Sequence, residues 1–351
     1  MSSSPERRQV AYGRHHELQN IIISPIDSNP DGYWVVQVIQ TESSPQGHSY
    51  IHGGAWRDPT ITASSFEPTE ALLRSYPGLP ISGFASISYR LSAHPDYPQN
   101  KKETPVTQYR DAKHPDHIRD VEAALAFLQN TYNFGPRYIL VGHSCGATLA
   151  FQAVMGAVAG HREQSFNGAE DSGIDVEQVS MSPAPLPPKL TAHPMAIVGV
   201  AGIYDLRKLQ NDHRDSPAYR EIIEGAFGTD ELLWDAVSPA QMEGSRGIEG
   251  GWKTGRLVVL AHSKDDELVD EGQQTALLEA LKGWESKEAQ IPKRELAHRI
   301  RHVRFLPISG GHDEAWSIGE ELARAVKFTF VELQKMGIAP EPEFLGGSER
   351  V

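Results

Sequence analysis

The chain has few of the features that support a metal, redox or membrane-anchored protein. Its 351 residues contain one cysteine, Cys145, which excludes an internal disulfide and a cysteine-rich zinc cluster. It has no run of about 18 apolar residues and no apolar N-terminal stretch of the kind found in secretion signals. It also lacks a phosphate-binding glycine-rich loop and a dinucleotide fingerprint. We therefore expect a cytoplasmic protein that uses neither a cofactor nor a metal.

Positive charge is also scarce. The chain has 33 Lys and Arg residues against 46 Asp and Glu residues, for a formal net charge of −13. Nucleic acids and anionic membrane surfaces favour proteins with clustered Lys and Arg. Neither is expected as a partner, and a small-molecule substrate is the better expectation.

Short apolar runs alternate with longer segments of helical periodicity along most of the chain. This alternation is typical of an α/β protein with a mostly parallel sheet covered by helices on both faces. The predicted strands are Tyr33–Ile39, His48–Ile51, Phe84–Tyr89, Tyr138–Val141, Ala196–Val200, Leu257–Ala261 and Val303–Pro307. The predicted helices are Pro115–Tyr132, Thr148–Val158 and Glu320–Lys335.

The length suits a single α/β domain with tails and surface loops. We place the domain at residues 19–336, with an N-terminal tail at 1–18 and a C-terminal tail at 337–351. Polar or proline-rich stretches predict loop insertions near 161–193, 243–255 and 285–297.

The segment Gly142–Gly146 (GHSCG) predicts a nucleophilic serine. It follows a short apolar strand and opens an apolar helix, which is the context of a strained strand-to-helix turn. The two glycines allow strand and helix to approach closely, and Ser144 is the candidate nucleophile. The backbone N–H of Cys145, rather than its sulfur, should face the reaction.

A second glycine motif, His52–Trp56 (HGGAW), lies upstream and is expected after a strand. Glycines such as Gly53 let a backbone approach a substrate closely and present N–H groups to an oxyanion. His52 is better explained as a loop-anchoring residue than as a catalytic base. Together the two glycine motifs indicate a serine hydrolase.

A nucleophilic serine needs a base and an orienting carboxylate, which in this fold class follow it in the order acid, then histidine. His312 is the candidate base, because it follows the last predicted strand and two glycines. The loop after Leu257–Ala261 offers four carboxylates. We favour Asp266, since its spacing to Val269 lets that valine anchor the loop while the carboxylate points to the site.

Other histidines fit structural roles better. His114 and His117 have a spacing that could bind a metal on a helix, but Pro115 and Asp116 indicate an ordinary helix start.

The motifs HGGAW, GHSCGAT, Gly202–Leu206 (GIYDL) and the Gly-Gly-His-Asp around His312 resemble those of the kynurenine formamidases of the α/β-hydrolase fold. The resemblance extends over roughly Asp31 to Lys335. It implies a triad of Ser144, Asp266 and His312.

The resemblance also implies an oxyanion hole, a substrate and an assembly. The hole would be formed by the backbone amides of Gly54, Ala55 and Cys145. The substrate would be N-formyl-L-kynurenine, whose small formyl group would suit an acyl pocket closed by Trp56. A homodimer is expected from the resemblance alone.

Two alternatives remain open. A general carboxylesterase of the same fold would share all these residues. A non-catalytic binding protein could also keep the hydrolase fold. The residues that hold the amino-acid end of the substrate are also open. Arg57, Arg90 and Tyr204 are candidates, and each has an ordinary structural explanation.

Overall fold

The computed structural model describes residues 7–26, 31–38, 54–60, 62–156, 190–286 and 299–340. Several predicted features fall partly or wholly outside this set. They include the strand at 48–51, most of the insertions near 161–193 and 285–297, and the terminal stretches 1–6 and 341–351.

A single eight-stranded sheet organises the described residues. Its strands are β1 (Arg8–Ala11), β2 (Asn20–Pro25), β3 (Tyr33–Val38), β4 (Ile81–Ile87), β5 (Tyr138–His143), β6 (Ala196–Val200), β7 (Leu257–Ser263) and β8 (His302–Ile308). The strand order is β1-β2-β4-β3-β5-β6-β7-β8. The pairs β1–β2 and β2–β4 are antiparallel, and every other pair is parallel. The predicted mostly parallel sheet is confirmed.

Helices cover both faces of the sheet, as predicted. They are α1 (Glu67–Ser75), α2 (Asp116–Tyr132), α3 (Cys145–Gln152), α4 (Leu206–Asp212), α5 (Pro217–Phe227), α6 (Glu231–Val237), α7 (Ile248–Gly251), α8 (Glu271–Leu281), α9 (Glu314–Ser317) and α10 (Glu320–Lys335). One apolar core contains α1, α9 and α10, and the other contains α2 to α8.

The strands divide their side chains between these two cores. In β3, Trp34 and Val36 belong to one core, whereas Tyr33 and Val35 belong to the other. Successive side chains of a strand point to opposite faces, so a strand covered on both sides must be apolar at nearly every position. This requirement explains why the central strands read as short continuous apolar runs.

The predicted N-terminal tail is wrong for part of its length. Arg8–Ala11 form the edge strand β1, which pairs with β2, and the Tyr12 hydroxyl donates a 2.8 Å hydrogen bond to the Ser88 carbonyl. Tyr12 and Leu18 also pack against the core. An edge strand buries little of its surface, so its side chains can be polar. The segment therefore lacks the apolar pattern from which a strand is predicted.

Two other predicted boundaries also differ from the structure. The segment predicted as a loop near 243–255 contains α7 and Trp252, which is fully buried and stacks on Trp284 with ring centroids 4.9 Å apart. At the C-terminus, Ala339 is buried, so the first residues of the predicted tail pack on the domain.

None of the described helices combines the length and the apolar character needed to cross a bilayer.

Candidate active site

Ser144 lies at the turn between β5 and α3 in a strained backbone conformation. Its φ of 52° and ψ of −124° are rarely adopted by residues other than glycine. The turn is held by the Ser144 amide, which donates to the Val200 carbonyl at 3.0 Å, and by the Ser144 carbonyl, which accepts from Ile203 at 3.2 Å. The nucleophile candidate is therefore fixed to the loop that follows β6.

Gly142 shows why the turn needs glycine. A Cβ at this position would lie 2.4 Å from the Gly146 carbonyl oxygen and 2.6 Å from the Cα of Ala147. Both contacts are with backbone atoms, which cannot rotate away as a side chain could. The close approach of strand and helix thus requires the first glycine of the motif.

Asp266 and His312 form a buried hydrogen-bonded pair. His312 Nδ1 lies 2.9 Å and 3.1 Å from the two carboxylate oxygens of Asp266, and each side chain is 1% exposed. Asp266 follows β7 and His312 follows β8. Neighbouring parallel strands end at the same edge of the sheet, so these loops lie on the side of Ser144.

The Asp266 carboxylate is held in its ionised form. Burial by itself raises its pKa, but hydrogen bonds from His312, Val269 and Leu268 outweigh burial and bring the pKa below its ordinary value. The amides of Leu268 and Val269 donate to Oδ1 at 3.0 Å and 2.9 Å. Val269 is buried, so the loop is anchored as its spacing predicts.

The neighbouring acids have other contacts. Asp270 caps α8 by accepting a 2.8 Å hydrogen bond from the Gly272 amide. Asp265 is exposed. The Oε2 atom of Glu267 accepts a 3.0 Å hydrogen bond from the His312 backbone amide. Glu267 was not predicted as a site residue, although it directly follows Asp266 in the chain.

His143 connects the nucleophile turn to the histidine loop. Its Nε2 donates to the His312 carbonyl at 3.0 Å, and the two imidazole centroids lie 4.6 Å apart. Burial and the neighbouring His312 hold the pKa of His143 well below its ordinary value. His143 is therefore neutral, and because a carbonyl only accepts, its proton lies on Nε2. His143 was likewise not predicted as a site residue.

The described part of the HGGAW motif packs against the same turn. Ala55 and Trp56 have φ values of 42° and 61°, and the Gly54 carbonyl closes a tight turn by accepting from the amides of Arg57 (2.7 Å) and Asp58 (2.9 Å). His52 and Gly53 lie outside the described residues.

The backbone of Ala55 and Trp56 lies against the Cys145 thiol. Burial raises the pKa of the Cys145 thiol, and hydrogen bonds from Tyr89, Trp56, Ala55 and the Cys145 amide lower it by a smaller amount. Ala55, Trp56 and Cys145 are therefore neighbours beside the turn that carries Ser144.

The three candidates for binding the amino-acid end of a substrate have structural contacts. Arg57 pairs with Glu221 at 2.8 Å, and the Arg90 guanidinium contacts both oxygens of Asp120 at 2.8 Å and 2.9 Å. Tyr204 is buried, and its hydroxyl fills the space beside Gly199 and Gly202.

The histidine pair considered for a metal also has structural contacts. His117 Nε2 lies 3.1 Å from the Ser92 hydroxyl, and the His114 ring packs on Phe227 with centroids 5.6 Å apart. Within the described ranges, no three His, Cys, Asp or Glu side chains are grouped as a metal site would require.

Comparison with known proteins agrees with this architecture. Residues 48–281 match the BD-FAE family. The chain is 35% identical over 310 residues to kynurenine formamidase-like hydrolase fscH of Fusarium equiseti, covering 88% of this chain and 86% of the relative. It is also 35% identical over 285 residues to kynurenine formamidase avaC of Aspergillus versicolor, covering 76% of this chain and 82% of the relative.

Solved structures show the same fold at low sequence identity. A truncated carbohydrate esterase from gut microbiota superposes with a TM-score of 0.53 at 17% identity, covering 96% of this chain and 99% of that chain. Thermogutta terrifontis esterase 2 phosphonylated by sarin superposes with a TM-score of 0.55 at 14% identity, covering 97% of this chain and 99% of that chain.

The sheet order and these neighbours show the α/β-hydrolase fold. The matches over most of the chain are more specific. The chain belongs to the BD-FAE family and to the kynurenine formamidase family.

Proposed function

We propose that the protein hydrolyses N-formyl-L-kynurenine to formate and L-kynurenine, a step of tryptophan degradation, with Ser144 as the nucleophile. The observation that carries the proposal is the buried Asp266–His312 pair, with His312 in contact with His143, the residue directly before Ser144. The 35% identity to relatives named kynurenine formamidase or kynurenine formamidase-like supports the choice of substrate.

Each residue has a defined role in this reaction. His312 accepts the Ser144 hydroxyl proton as the serine oxygen attacks the formyl carbon, and the new oxyanion is stabilised by backbone amides. Asp266 orients His312 by accepting from Nδ1 and stabilises the imidazolium that forms. His312 then donates the proton to the aromatic amine nitrogen as the C–N bond breaks. Water attacks the formyl-serine in the same way and releases formate.

The oxyanion hole belongs to this proposal. The family resemblance implies the amides of Gly54, Ala55 and Cys145. The contacts of the Ala55 and Trp56 backbone with Cys145, the residue after Ser144, support a hole beside Ser144. The Cys145 amide lies at the start of α3, where the helix dipole adds positive potential.

The chemistry of the substrate suits this machinery. An aromatic amine is a weaker base than an alkyl amine, so it leaves more readily from the tetrahedral intermediate. Trp56 is fully buried and packs edge-on against Phe227 with centroids 5.0 Å apart. We propose that this rigid aromatic pair limits the acyl side of the pocket to formyl or acetyl groups.

The test combines one substrate series with one substitution. N-formyl-L-kynurenine should have a higher kcat/KM than p-nitrophenyl esters, and activity on those esters should fall as the acyl chain lengthens beyond acetyl. Ser144→Ala should lower kcat by a factor on the order of 10⁴ to 10⁶ without changing the fold. Ser86→Ala is a matched control, because Ser86 is also buried and its hydroxyl has no partner among the described residues.

Two results would contradict the proposal. A kcat/KM for p-nitrophenyl butyrate well above that for N-formyl-L-kynurenine would indicate a general carboxylesterase. A purified Ser144→Ala variant with more than a few percent of wild-type turnover would remove Ser144 from the mechanism.

A further inference from the structure

The backbone of His312 is held on both sides by side chains from other parts of the chain. Its amide donates to Glu267 Oε2 at 3.0 Å, and its carbonyl accepts from His143 Nε2 at 3.0 Å. The imidazole is bound separately, by Asp266 through Nδ1. Three contacts therefore restrain this one residue in addition to its own chain.

The loop before His312 is held by main-chain hydrogen bonds rather than by side chains of its own: the Gly311 amide donates to Glu314 Oε2 at 3.0 Å, and the Gly311 carbonyl accepts from the Ala315 amide at 3.3 Å. Gly310 has a φ of 90°, and Gly311 follows it, so two successive positions lack a side chain that could pack. Glycine retains the most backbone freedom of any residue, and a loop built from it needs contacts from outside to fix its end. The Glu267 bond joins this loop to the loop that carries Asp266.

Gly311 is shaped to admit the Glu267 carboxylate. A Cβ added at Gly311 would lie 2.7 Å from Glu267 Oε2, the same oxygen that accepts from the His312 amide. Any side chain at this position would push the carboxylate away from the amide. The hydrogen bond between Glu267 and the His312 amide therefore requires a glycine at position 311.

We propose that Glu267 is a positioning residue that fixes the His312 main chain, so that the imidazole bound by Asp266 is also aligned with Ser144. The inference rests on the proposed function, in which His312 is the base. Glu267 acts through an acceptor oxygen on a backbone amide and takes no proton in the reaction. Its loss should slow the chemical step and leave substrate binding nearly unchanged.

The experiment compares Glu267→Ala with Glu267→Gln and with the control Asp265→Ala, an exposed acid of the same loop. Misplacement of a catalytic group by about 1 Å can cost about 100-fold, and partial misplacement here should lower kcat of Glu267→Ala by about 10-fold. KM should stay within about twofold. Glu267→Gln keeps an acceptor oxygen and should recover most of the lost kcat. Asp265→Ala should match the wild type.

A substitution at Gly311 tests the same hydrogen bond between the His312 amide and Glu267. Gly311→Ala should displace the Glu267 carboxylate and lower kcat by a similar factor, and adding Glu267→Ala to it should cause little further loss. The melting temperature of every variant is measured as well. A slow variant with the wild-type melting temperature has lost the alignment of His312 rather than its fold.

Three results would overturn the inference. These are wild-type kcat in Glu267→Ala, a loss confined to KM, or a Glu267→Gln variant as slow as Glu267→Ala. Ser144→Ala assayed alongside keeps the two proposals apart. An inactive Ser144→Ala with a fully active Glu267→Ala rejects only the role of Glu267, whereas an active Ser144→Ala rejects the proposed function.

Discussion

Replacement of Asp266 by Asn tests the acid–base arrangement most directly, because the surrounding bonds determine how the new side chain must sit. Oδ1 of Asp266 accepts from the amides of Leu268 and Val269 at 3.0 Å and 2.9 Å. An Asn side chain keeps these bonds only if its oxygen takes the Oδ1 position. Its NH₂ group must then face His312 Nδ1, where Asp266 Oδ2 lies at 2.9 Å in the wild type.

This orientation gives His312 the wrong tautomer. The Asn NH₂ donates, so Nδ1 must accept and the imidazole proton moves to Nε2. An Nε2 that already carries a proton cannot take one from Ser144. The precedent for this substitution in a serine protease triad is a drop of roughly 10⁴ in kcat, equivalent to roughly 5 kcal/mol of transition-state stabilisation.

The assay is kcat for Asp266→Asn, with Asp265→Asn and Asp270→Asn as controls. Asp265 is exposed, and an Asn at position 270 can still cap α8, so both controls should stay within a few-fold of wild type. The reasoning is refuted if Asp266→Asn keeps kcat within about tenfold of wild type, or if Asp270→Asn is the crippling change.

Two further predictions concern stability. Gly142→Ala should destabilise the protein by about 3 kcal/mol and abolish activity, because its Cβ meets backbone atoms at 2.4 Å and 2.6 Å; urea unfolding with wild-type stability would contradict this packing. Burial lowers the pKa of His117 to about 3, so the unfolded chain takes up a proton first as the pH falls through the ordinary histidine value. Between about pH 7 and 5.5 this difference should cost roughly 1 kcal/mol, and His117→Gln should remove that part of the pH dependence. An unchanged pH dependence in His117→Gln would show that the imidazole does not become harder to protonate on folding.

Sequence by itself determined the features that depend on local patterns. Ala196–Val200 and Glu320–Lys335 begin and end where the apolar runs and the helical periodicity predict them. The turn around Ser144 was also predictable, since a strand, two glycines and an apolar helix follow one another directly. Burial on both faces and the torsions of a tight turn are set by residues close together in the chain.

Only the tertiary structure decided which groups meet across the site. The polar segment Arg8–Ala11 forms a strand because β2 is there to pair with it. Four carboxylates follow β7 in sequence; spacing favours Asp266, which lies at the His312 imidazole, but only packing assigns Glu267 to the His312 amide. The contact of His143 with His312 joins residues 169 positions apart. Hydrogen-bond partners at such separations depend on how neighbouring strands place their loops, and no local pattern of apolar and polar residues records that arrangement.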